Sequence, residues 1–461
     1  MRALRWLPGV GLIFCVSACV LEPEPNREQV QAQMLANAAI PAAWKERGTT
    51  SATVENDWLA KFNDAQLQAL VVEALEFNAD LKMASARVEE AAAYVSVARG
   101  KLWPAVSALG RGGIEQSSDD AGLQGGVVSV SWELDLWGRV RYGARSAADQ
   151  HSASQADYTF ARQSLAALVA KSWFLATEAS LQRDQARDMV VAATTLLDLA
   201  QNRGRVGIGS EYDVALARVN LDGYRDGLVQ VDLSREQALR ALEALLGRYP
   251  SAEIAVAVRL PALASAVPAG LPSELLERRP DIMAAERRIG AAFNRTQEAR
   301  MARLPSISLT GSVSDLTSDL FVLQERDQPQ WGVGGKVLAP LFTGGALKAQ
   351  VAVRTAEQKQ AIAAYTSTAL KAFNDVENAL SSEAAMRTRE MVLVAAVTEA
   401  GRALQFAEER YRVGSGDLRA VQQQQLSLHS ARMNLLRVQS EQRVQRVNLH
   451  LALGGDFAAR P

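Results

Sequence analysis

The chain has 461 residues, of which 48% are hydrophobic and 6% aromatic, a composition typical of a folded, helix-rich protein. Lys and Arg together number 50, Asp and Glu number 51, and the formal net charge is therefore −1. This balance provides no general basic field to hold a nucleic acid or an anionic membrane surface, which argues against nucleic acid as a partner.

The N-terminal residues 1–18 are organised like an export signal. Two arginines precede the mostly apolar run WLPGVGLIFCV at 6–16, and the sequence VSAC ends at Cys19. Both cysteines of the chain, Cys15 and Cys19, lie here, so no internal disulfide can form after the signal is removed. VSAC resembles a bacterial lipobox, which predicts that Cys19 becomes an acylated N-terminus, as in a palmitate-bearing lipoprotein. Ordinary signal cleavage is the alternative.

The rest of the chain contains an internal duplication. Residues 80–110 align with residues 281–311 without a gap, at an offset of 201 positions. Further along, RVGIGS at 205–210 corresponds to RVGSGD at 412–417, at an offset of 207. A change of offset is what a difference in loop length produces. Two copies are too few for a solenoid, so the sequence predicts two halves of one pseudo-symmetric domain.

Each half is predicted to contain a very long helical hairpin. No proline occurs between Pro104 and Pro250, and no glycine from Ala144 to Arg203, which permits an unbroken helix of 60 residues, or about 90 Å. The stretch after each Arg-Val-Gly-x-Gly sequence repeats its apolar residues at spacings of three and four. This pattern predicts coiled-coil packing; an amphipathic helix on one compact core is the alternative.

Each Arg-Val-Gly-x-Gly sequence is predicted to form the turn at the tip of a hairpin. Both of its glycines are expected to supply left-handed backbone at the end of the first helix. Ser210 with Asp213 predicts a capping box, and Asp417 is expected to cap the corresponding helix of the second copy. A glycine-containing turn alone is more often structural than functional, but two related tips are a candidate site. The candidate tip residues are Arg205, Val206, Gly207, Gly209, Ser210, Asp213, Arg412, Val413, Gly414, Gly416 and Asp417.

Short runs of alternating polar and apolar residues are predicted to be β-strands. These runs are 126–135, 306–314, 331–339 and a weaker one after Pro104. After the signal no stretch has the roughly 18 consecutive apolar residues of a spanning helix, so a membrane crossing would require strands. Four strands cannot close a barrel, since the smallest needs about eight, and several chains would have to share it. Trp132 and Trp331 are expected at the membrane interface. The polar residues predicted to face a wet barrel lumen are Ser129, Ser131, Glu133, Ser308, Thr310 and Lys336.

The sequence contains no pattern that favours catalysis. His151, His429 and His450 are scattered over predicted helices without the spacing of a metal site, and solvated or core positions are expected for them. No glycine-rich phosphate loop follows a strand. We therefore expect that the chain is not an enzyme, that it needs no metal or cofactor, and that it depends on a partner for energy.

Several motifs together resemble one protein family. LLERRPDIMAAERRIGAA at 275–292, WELDLWGRVR at 132–141, LFTGGALKAQ at 341–350 and the two tips are similar to the outer membrane efflux proteins. Within these TolC-like channels, the likeness is greatest to the lipoprotein branch that partners RND-type pumps. The resemblance covers about residues 55–455 and implies a mainly α fold with a membrane β-barrel. Three chains would share a 12-stranded β-barrel, four strands from each, continued by a long coiled-coil α-barrel in the periplasm.

The resemblance also implies a function, partners and one further site residue. It implies a homotrimeric outer-membrane channel that receives drugs or other small molecules from an inner-membrane RND-type pump through a periplasmic adaptor. The tips would close the channel at rest and meet the adaptor. The family commonly has an Asp nine residues after the glycine that matches Gly414, where this chain has Gln423, so a neutral channel entrance is expected.

The sequence leaves alternative functions open and predicts how the chain is divided into segments. A channel for type I protein secretion is the alternative within the same class. A periplasmic adaptor or a structural coiled-coil lipoprotein is the alternative from a different class. The predicted segments are a signal peptide at 1–18, an N-terminal anchor and equatorial segment at 19–60, a first repeat at 61–247, an inter-repeat equatorial linker at 248–278, a second repeat at 279–454 and a tail at 455–461.

Overall fold

A computed structural model gives the fold of most of the chain. The structure describes residues 40–45, 57–111, 124–263, 267–317 and 330–456. The predicted export signal and Cys19 lie outside these residues. The described chain falls into two compact units. Within the described residues the first unit comprises 89–111, 124–153, 286–317 and 330–364, and the second 40–45, 57–88, 154–263, 267–285 and 365–456.

The described chain is mainly helical, as predicted. Its α-helices are α1 (Ala65–Phe77), α2 (Ala79–Gly100), α3 (Arg139–Arg205), α4 (Glu211–Leu245), α5 (Leu275–Arg278), α6 (Pro280–Met301), α7 (Ala346–Arg412) and α8 (Leu418–Ala452). Short 3-10 helices cover Ala60–Phe62 and Pro272–Glu274. None of the helices among the described residues combines the length and apolar character needed to cross a membrane.

The two halves have matching helical hairpins, which confirms the predicted internal duplication. Helices α3 and α7 each have 67 residues, somewhat more than the 60 predicted for the first of them. Helices α4 and α8 each have 35 residues. The predicted spacing of three and four places buried residues such as Leu221, Leu242, Val421 and Leu449 along one stripe of each shorter helix. The prediction of helix-on-helix packing is therefore confirmed.

All four predicted strands are present and form one antiparallel sheet in the first unit. The strands are β1 (Ala105–Arg111), β2 (Gln124–Leu134), β3 (Ser306–Thr317) and β4 (Gln330–Leu338). They pair in the order β1-β2-β3-β4, so β1 and β4 are the edge strands. The start of β1 and the end of β4 lie at the same end of the sheet. From this end the chain continues into the long helices.

The register of the sheet separates apolar from polar side chains. Directly paired residues lie on the same face, so Val106, Val130, Gly311 and Val333 form one row of the apolar face. The polar face contains all six residues that the alternation predicted for it. Among them, Ser131 pairs with Thr310, and Glu133, Ser308 and Lys336 form a continuous row.

The core of the second unit lies where α1, α3, α4 and α8 meet. Trp173 is fully buried there, and its indole N–H donates to the Asp64 carboxylate at 2.8 Å. The other Asp64 carboxylate oxygen accepts from the Leu67 N–H and caps α1. Trp58 before α1 and Ile254 after α4 belong to the same apolar cluster. This cluster packs the chain segments before and after the first repeat against its helices.

Candidate functional site

The turns at the two hairpin tips have the same backbone geometry. Gly207 and Gly414 have φ angles of +80° and +84°, in the left-handed region that glycine adopts without strain. In the first tip the N–H groups of Ile208 and Gly209 both donate to the Arg203 carbonyl at 3.0 Å. In the second, Ser415 and Gly416 donate to the Arg410 carbonyl at 2.9 and 3.0 Å. The first glycine of each motif therefore closes its helix as predicted.

The prediction for the second glycine of each motif is wrong. Neither Gly209 nor Gly416 has a positive φ angle; each is instead required by a close backbone approach. A Cβ at Gly209 would lie 2.8 Å from the Gly204 nitrogen, and one at Gly416 would lie 3.0 Å from the Arg410 Cβ. The turn folds back on the preceding helix so tightly that a side chain at Gly209 would displace backbone atoms, and one at Gly416 would be unusually close to the Arg410 side chain.

Side-chain caps start the second helix of each hairpin. The Ser210 hydroxyl accepts from the Asp213 N–H at 3.1 Å, which is one of the two hydrogen bonds of the predicted capping box. The Asp417 carboxylate accepts from the Ala420 N–H at 2.7 Å, so Asp417 is the N-cap that the sequence predicted. Local sequence therefore determines both tips.

The tips expose matching apolar side chains. Val206 and Val413 are each 70% exposed, and Ile208 is exposed beside the first of them. Arg205 contacts the Asn202 side chain, and Arg412 lies 3.8 Å from the Glu409 carboxylate, with both ion-pair partners largely exposed. Each of the two equivalent turns therefore exposes a valine next to an arginine.

Two contacts join the tips of the two hairpins within the second unit. The Arg203 guanidinium lies 4.6 Å from the Tyr411 ring centroid and donates to the Tyr411 carbonyl at 2.9 Å. Burial raises the pKa of the Tyr411 hydroxyl, against a lowering influence of Arg203. The Arg419 guanidinium donates to the Tyr212 hydroxyl at 2.7 Å. These contacts hold the first hairpin against the second.

These four joining residues are not among the tip residues that the sequence predicted. A signal was nevertheless present, because Tyr212 and Arg419 differ by the repeat offset of 207 and therefore occupy equivalent positions. An aromatic residue opposite a cation at such a pair could have identified the contact. Tyr411 also departs from the repeat, since its equivalent is Gly204.

The polar face of the sheet continues into the start of α3. Arg139 donates to both carboxylate oxygens of Glu133, at 3.1 and 2.6 Å. The Asp135 carboxylate accepts from the backbone N–H groups of Val140 and Arg141, each at 2.9 Å. These bonds explain the motif WELDLWGRVR, in which acidic residues at the end of β2 and directly after it fix the first turn of a long helix. Glu133 is therefore paired within its own chain.

The remaining candidate residues lie apart from any cluster suited to catalysis. Gln423 is exposed on α8, where its backbone carbonyl accepts from the Ser427 hydroxyl at 2.9 Å. His450 is buried, stacked on Trp58, and its pKa is lowered to about 3 by burial and by Arg446 and Lys61. Within the described ranges, no group of three or more His, Cys, Asp or Glu side chains could hold a metal ion.

Comparison with known proteins decides the family. The sequence pattern of the family described as outer membrane efflux protein matches residues 70–248 and 271–455, both halves of the duplication. The chain belongs to this family. The outer membrane efflux proteins are channels, which excludes the periplasmic adaptor and the structural coiled-coil lipoprotein from the competing interpretations.

Individual relatives of this outer membrane efflux protein agree with the family assignment. The probable efflux pump outer membrane protein TtgC of Pseudomonas putida is 32% identical over 470 residues, which cover 96% of this chain and 94% of that protein. The outer-membrane channel OprN is similar in structure, with a TM-score of 0.80, 27% identity, and coverage of 90% and 97%. The open MtrE outer membrane channel of Neisseria gonorrhoeae has a TM-score of 0.81, 28% identity, and coverage of 95% and 98%. The chain is an efflux channel of the outer membrane.

Proposed function

We propose that three copies of this chain form a passive exit duct in the outer membrane. The duct would receive drugs or other small molecules from an inner-membrane RND-type pump through a periplasmic adaptor. The similarity to efflux pump channels over nearly the whole chain supports this role. Acylation of Cys19 would add a lipid anchor on the periplasmic side, as the lipobox-like sequence VSAC predicts.

The observation that carries the proposal is the four-stranded sheet. Its apolar face is exposed, with Val128, Val313, Val333 and Val337 all open to the surroundings of the chain. Its edge strands β1 and β4 each pair on one side only within the described chain. Unpaired backbone groups are not tolerated in lipid, so the edges must be covered when the apolar face is in a bilayer. Pairing β4 of one copy with β1 of the next closes a barrel once enough copies are present.

The proposal assigns roles to the predicted site residues. In a closed barrel the apolar face meets lipid, so Ser129, Ser131, Ser308, Thr310 and Lys336 line the lumen, with the paired Glu133 at its helical end. The exposed residues of the two tips, Val206 and Val413 foremost, dock the adaptor. Gln423 lines the entrance near the tips. Energy enters through the pump, since the channel side chains provide only a path.

Crosslinking and conductance test the trimer and the duct together. Crosslinking in native membranes is expected to give a species of three chains, and the purified species is expected to form open or gated pores in planar bilayers. Deletion of the gene is expected to raise drug sensitivity without loss of secreted proteins. A stably inserted monomer would overturn the shared barrel. Loss of one secreted protein with unchanged drug sensitivity would instead favour the type I secretion alternative.

A further inference from the structure

A basic cleft lies at the end of the sheet from which the long helices continue. It has a volume of about 280 Å³ and is formed by the last turn of α2 and the first turns of α3. Three arginines, Arg99, Arg141 and Arg145, line it together with Leu102 and Trp103. All of these residues belong to the first compact unit. The cleft therefore combines cationic groups with apolar side chains at one end of a membrane-type sheet.

The positive charge of the cleft is not balanced within the described chain. Arg141 pairs with Asp135 at 3.1 Å, and Asp135 is already occupied by two backbone N–H groups. Neither Arg99 nor Arg145 has an ion pair or hydrogen bond from its side chain to any residue that the structure describes. Two guanidinium groups directed at one cleft without an acidic partner attract a compact anion such as a phosphate, which they can bind through paired N–H donors.

The apolar part of the cleft is continuous with the apolar face of the sheet. The indole N–H of Trp132, which lies on that face, donates to the Leu102 carbonyl at 2.9 Å. Trp103 is 74% exposed and immediately precedes Pro104, after which β1 begins. Exposed tryptophans at the end of a membrane-spanning sheet are typical of the boundary between lipid chains and headgroups. A molecule in the cleft can therefore place an anionic group on the arginines and a hydrocarbon chain beside the sheet.

The second repeat lacks this arrangement. The positions equivalent to Arg99, Arg141 and Arg145 are Arg300, Lys348 and Ala352. A nearby cleft of about 350 Å³ at the same end of the sheet is lined by Glu133 and Asp135 with one arginine, Arg139. Its carboxylates oppose an anion. The accumulation of unpaired arginines is therefore specific to the first repeat and is not a general property of this boundary.

We propose that the cleft binds the phosphate of an anionic phospholipid from the membrane leaflet adjoining the long helices. This inference rests on the proposed function, because it requires the sheet to lie in the outer membrane. One lipid per chain would bind at the boundary between the strands and the helices. Its phosphate would contact Arg99 and Arg145, and its acyl chains would lie against Trp103 and the apolar face of the sheet.

Native mass spectrometry of the purified trimer tests this site. Wild-type protein is expected to retain phosphatidylglycerol in preference to phosphatidylcholine. The double variant Arg99→Gln/Arg145→Gln is expected to retain about tenfold less or lower still, because two charge-assisted contacts are lost. The matched control is Arg303→Gln/Lys348→Gln, which removes the same charge at the same end of the sheet but from residues outside the cleft. It is expected to behave as wild type.

Each contrary outcome has a definite meaning. Equal lipid loss in both double variants would show that lipid is retained by non-specific charge attraction and not by a defined site. Unchanged lipid retention in the cleft variant would overturn the inference. A less stable trimer that still retains the same amount of lipid per chain would also overturn it, because this result would show that a neighbouring copy covers the arginines. Full displacement by millimolar inorganic phosphate would make this a free-phosphate site. Trimer mass and pore conductance are measured on the same samples; their absence in wild type would overturn the proposed function itself.

Discussion

Helices α4 and α8 hold equivalent places in the two repeats, yet within a single chain they are buried to different extents. Each has 35 residues and follows the same kind of turn, but five residues of α4 are buried compared with 14 of α8. Helix α8 contacts α3 through the Ser440 hydroxyl and α7 through the Gln439 amide, so neighbours cover it on two sides. The comparison shows that glycines and caps determine a hairpin locally, whereas distant parts of the chain determine its burial.

The C-terminal ends of the two helices show the difference most clearly. Glu243 and His450 occupy equivalent positions, 207 residues apart, and both are buried. The Glu243 carboxylate accepts from the N–H groups of Ala252, Glu253 and Ile254 at 2.7 to 3.2 Å. His450 makes no such bonds and stacks on Trp58, with ring centroids 5.8 Å apart. One position therefore holds an anion that organises the following loop, and its equivalent holds a neutral ring in an apolar contact.

The largest expected effect concerns the buried ion pair of α8. Glu383 lies 2.5 Å from Arg446, and both side chains are only 7% exposed. Glu383→Gln should cost about 3–5 kcal/mol, because it removes the charged partner of a buried guanidinium. The control on α4 is Glu236→Gln, which breaks the exposed pair with Arg240 and should cost at most about 0.5 kcal/mol. Unfolding followed by circular dichroism measures both; equal effects would contradict the difference in burial.

Acidification should destabilise the protein through His450 before it acts through Glu243. The folded-state pKa of His450, about 3, lies below its ordinary value of 6.5, so its contribution to stability is complete above about pH 6.5 and is lost as the pH falls toward 3. A loss of roughly 2 kcal/mol is expected by pH 5. His450→Phe keeps an aromatic ring beside Trp58 and should remove that slope. The measurement is the unfolding midpoint at a series of pH values.

Glu243→Gln is the matched variant for this pH experiment. Burial alone would raise the pKa of Glu243, but the backbone N–H groups of Ala252, Glu253 and Ile254, with Arg248, lower it overall. A carboxyl with a lowered pKa contributes stability above its ordinary value of 4.5 and loses it as the pH falls below that value. The variant should therefore leave the slope between pH 6.5 and 5 unchanged. If it removes this slope, the assignment to His450 is wrong.

The tip glycines should respond to substitution in two different ways. Val at Gly207 or Gly414 requires a positive φ angle, so each change should cost about 1 kcal/mol or more, to similar extents. Ala at Gly209 should cost more than Ala at Gly416, within about 1–3 kcal/mol, because its Cβ approaches backbone atoms more closely. Hydrogen exchange at the tips measures the loosening, and adaptor binding and drug export should fall in parallel. Unchanged export in all four variants would show that the tips act only as turns.

The smallest expected effect concerns the channel entrance, where α8 alone is proposed to contribute a polar side chain. The position on α4 equivalent to Gln423 is the apolar Leu216. Gln423→Asp places three carboxylates around the proposed axis, which should shift the reversal potential toward cations and introduce block by divalent or trivalent cations. The shift should be greatest at low salt, where screening is weak. The control is Gln423→Asn, which keeps a neutral amide and should leave selectivity unchanged. If Gln423→Asp matches wild type in planar bilayers, residue 423 does not line the entrance.

Local patterns in the sequence predicted much of the fold and of the site. Alternation predicted every strand of the sheet, and Gly207, Gly414 and Asp417 act in the turns as expected because their roles depend only on adjacent residues. The predictions failed where a role depends on a contact that exists only in the folded chain. The fit of Gly209 against Arg203 becomes visible only once the turn has folded. The pairing of Arg446 with Glu383, 63 positions away, likewise leaves no periodic trace in the sequence.

The equal lengths of α3 and α7, and of α4 and α8, restrict how the chain can change during evolution. One extra residue in α3 alone would advance its tip by about 1.5 Å and rotate it by about 100°. Arg203 would then leave Tyr411, and Tyr212 would leave Arg419. A viable change in length must therefore occur in all four helices together, and in whole heptads, so that the apolar stripes keep their register. Relatives with longer or shorter hairpins are expected to differ by such coordinated steps, and single-site insertions are expected to survive only in the loops.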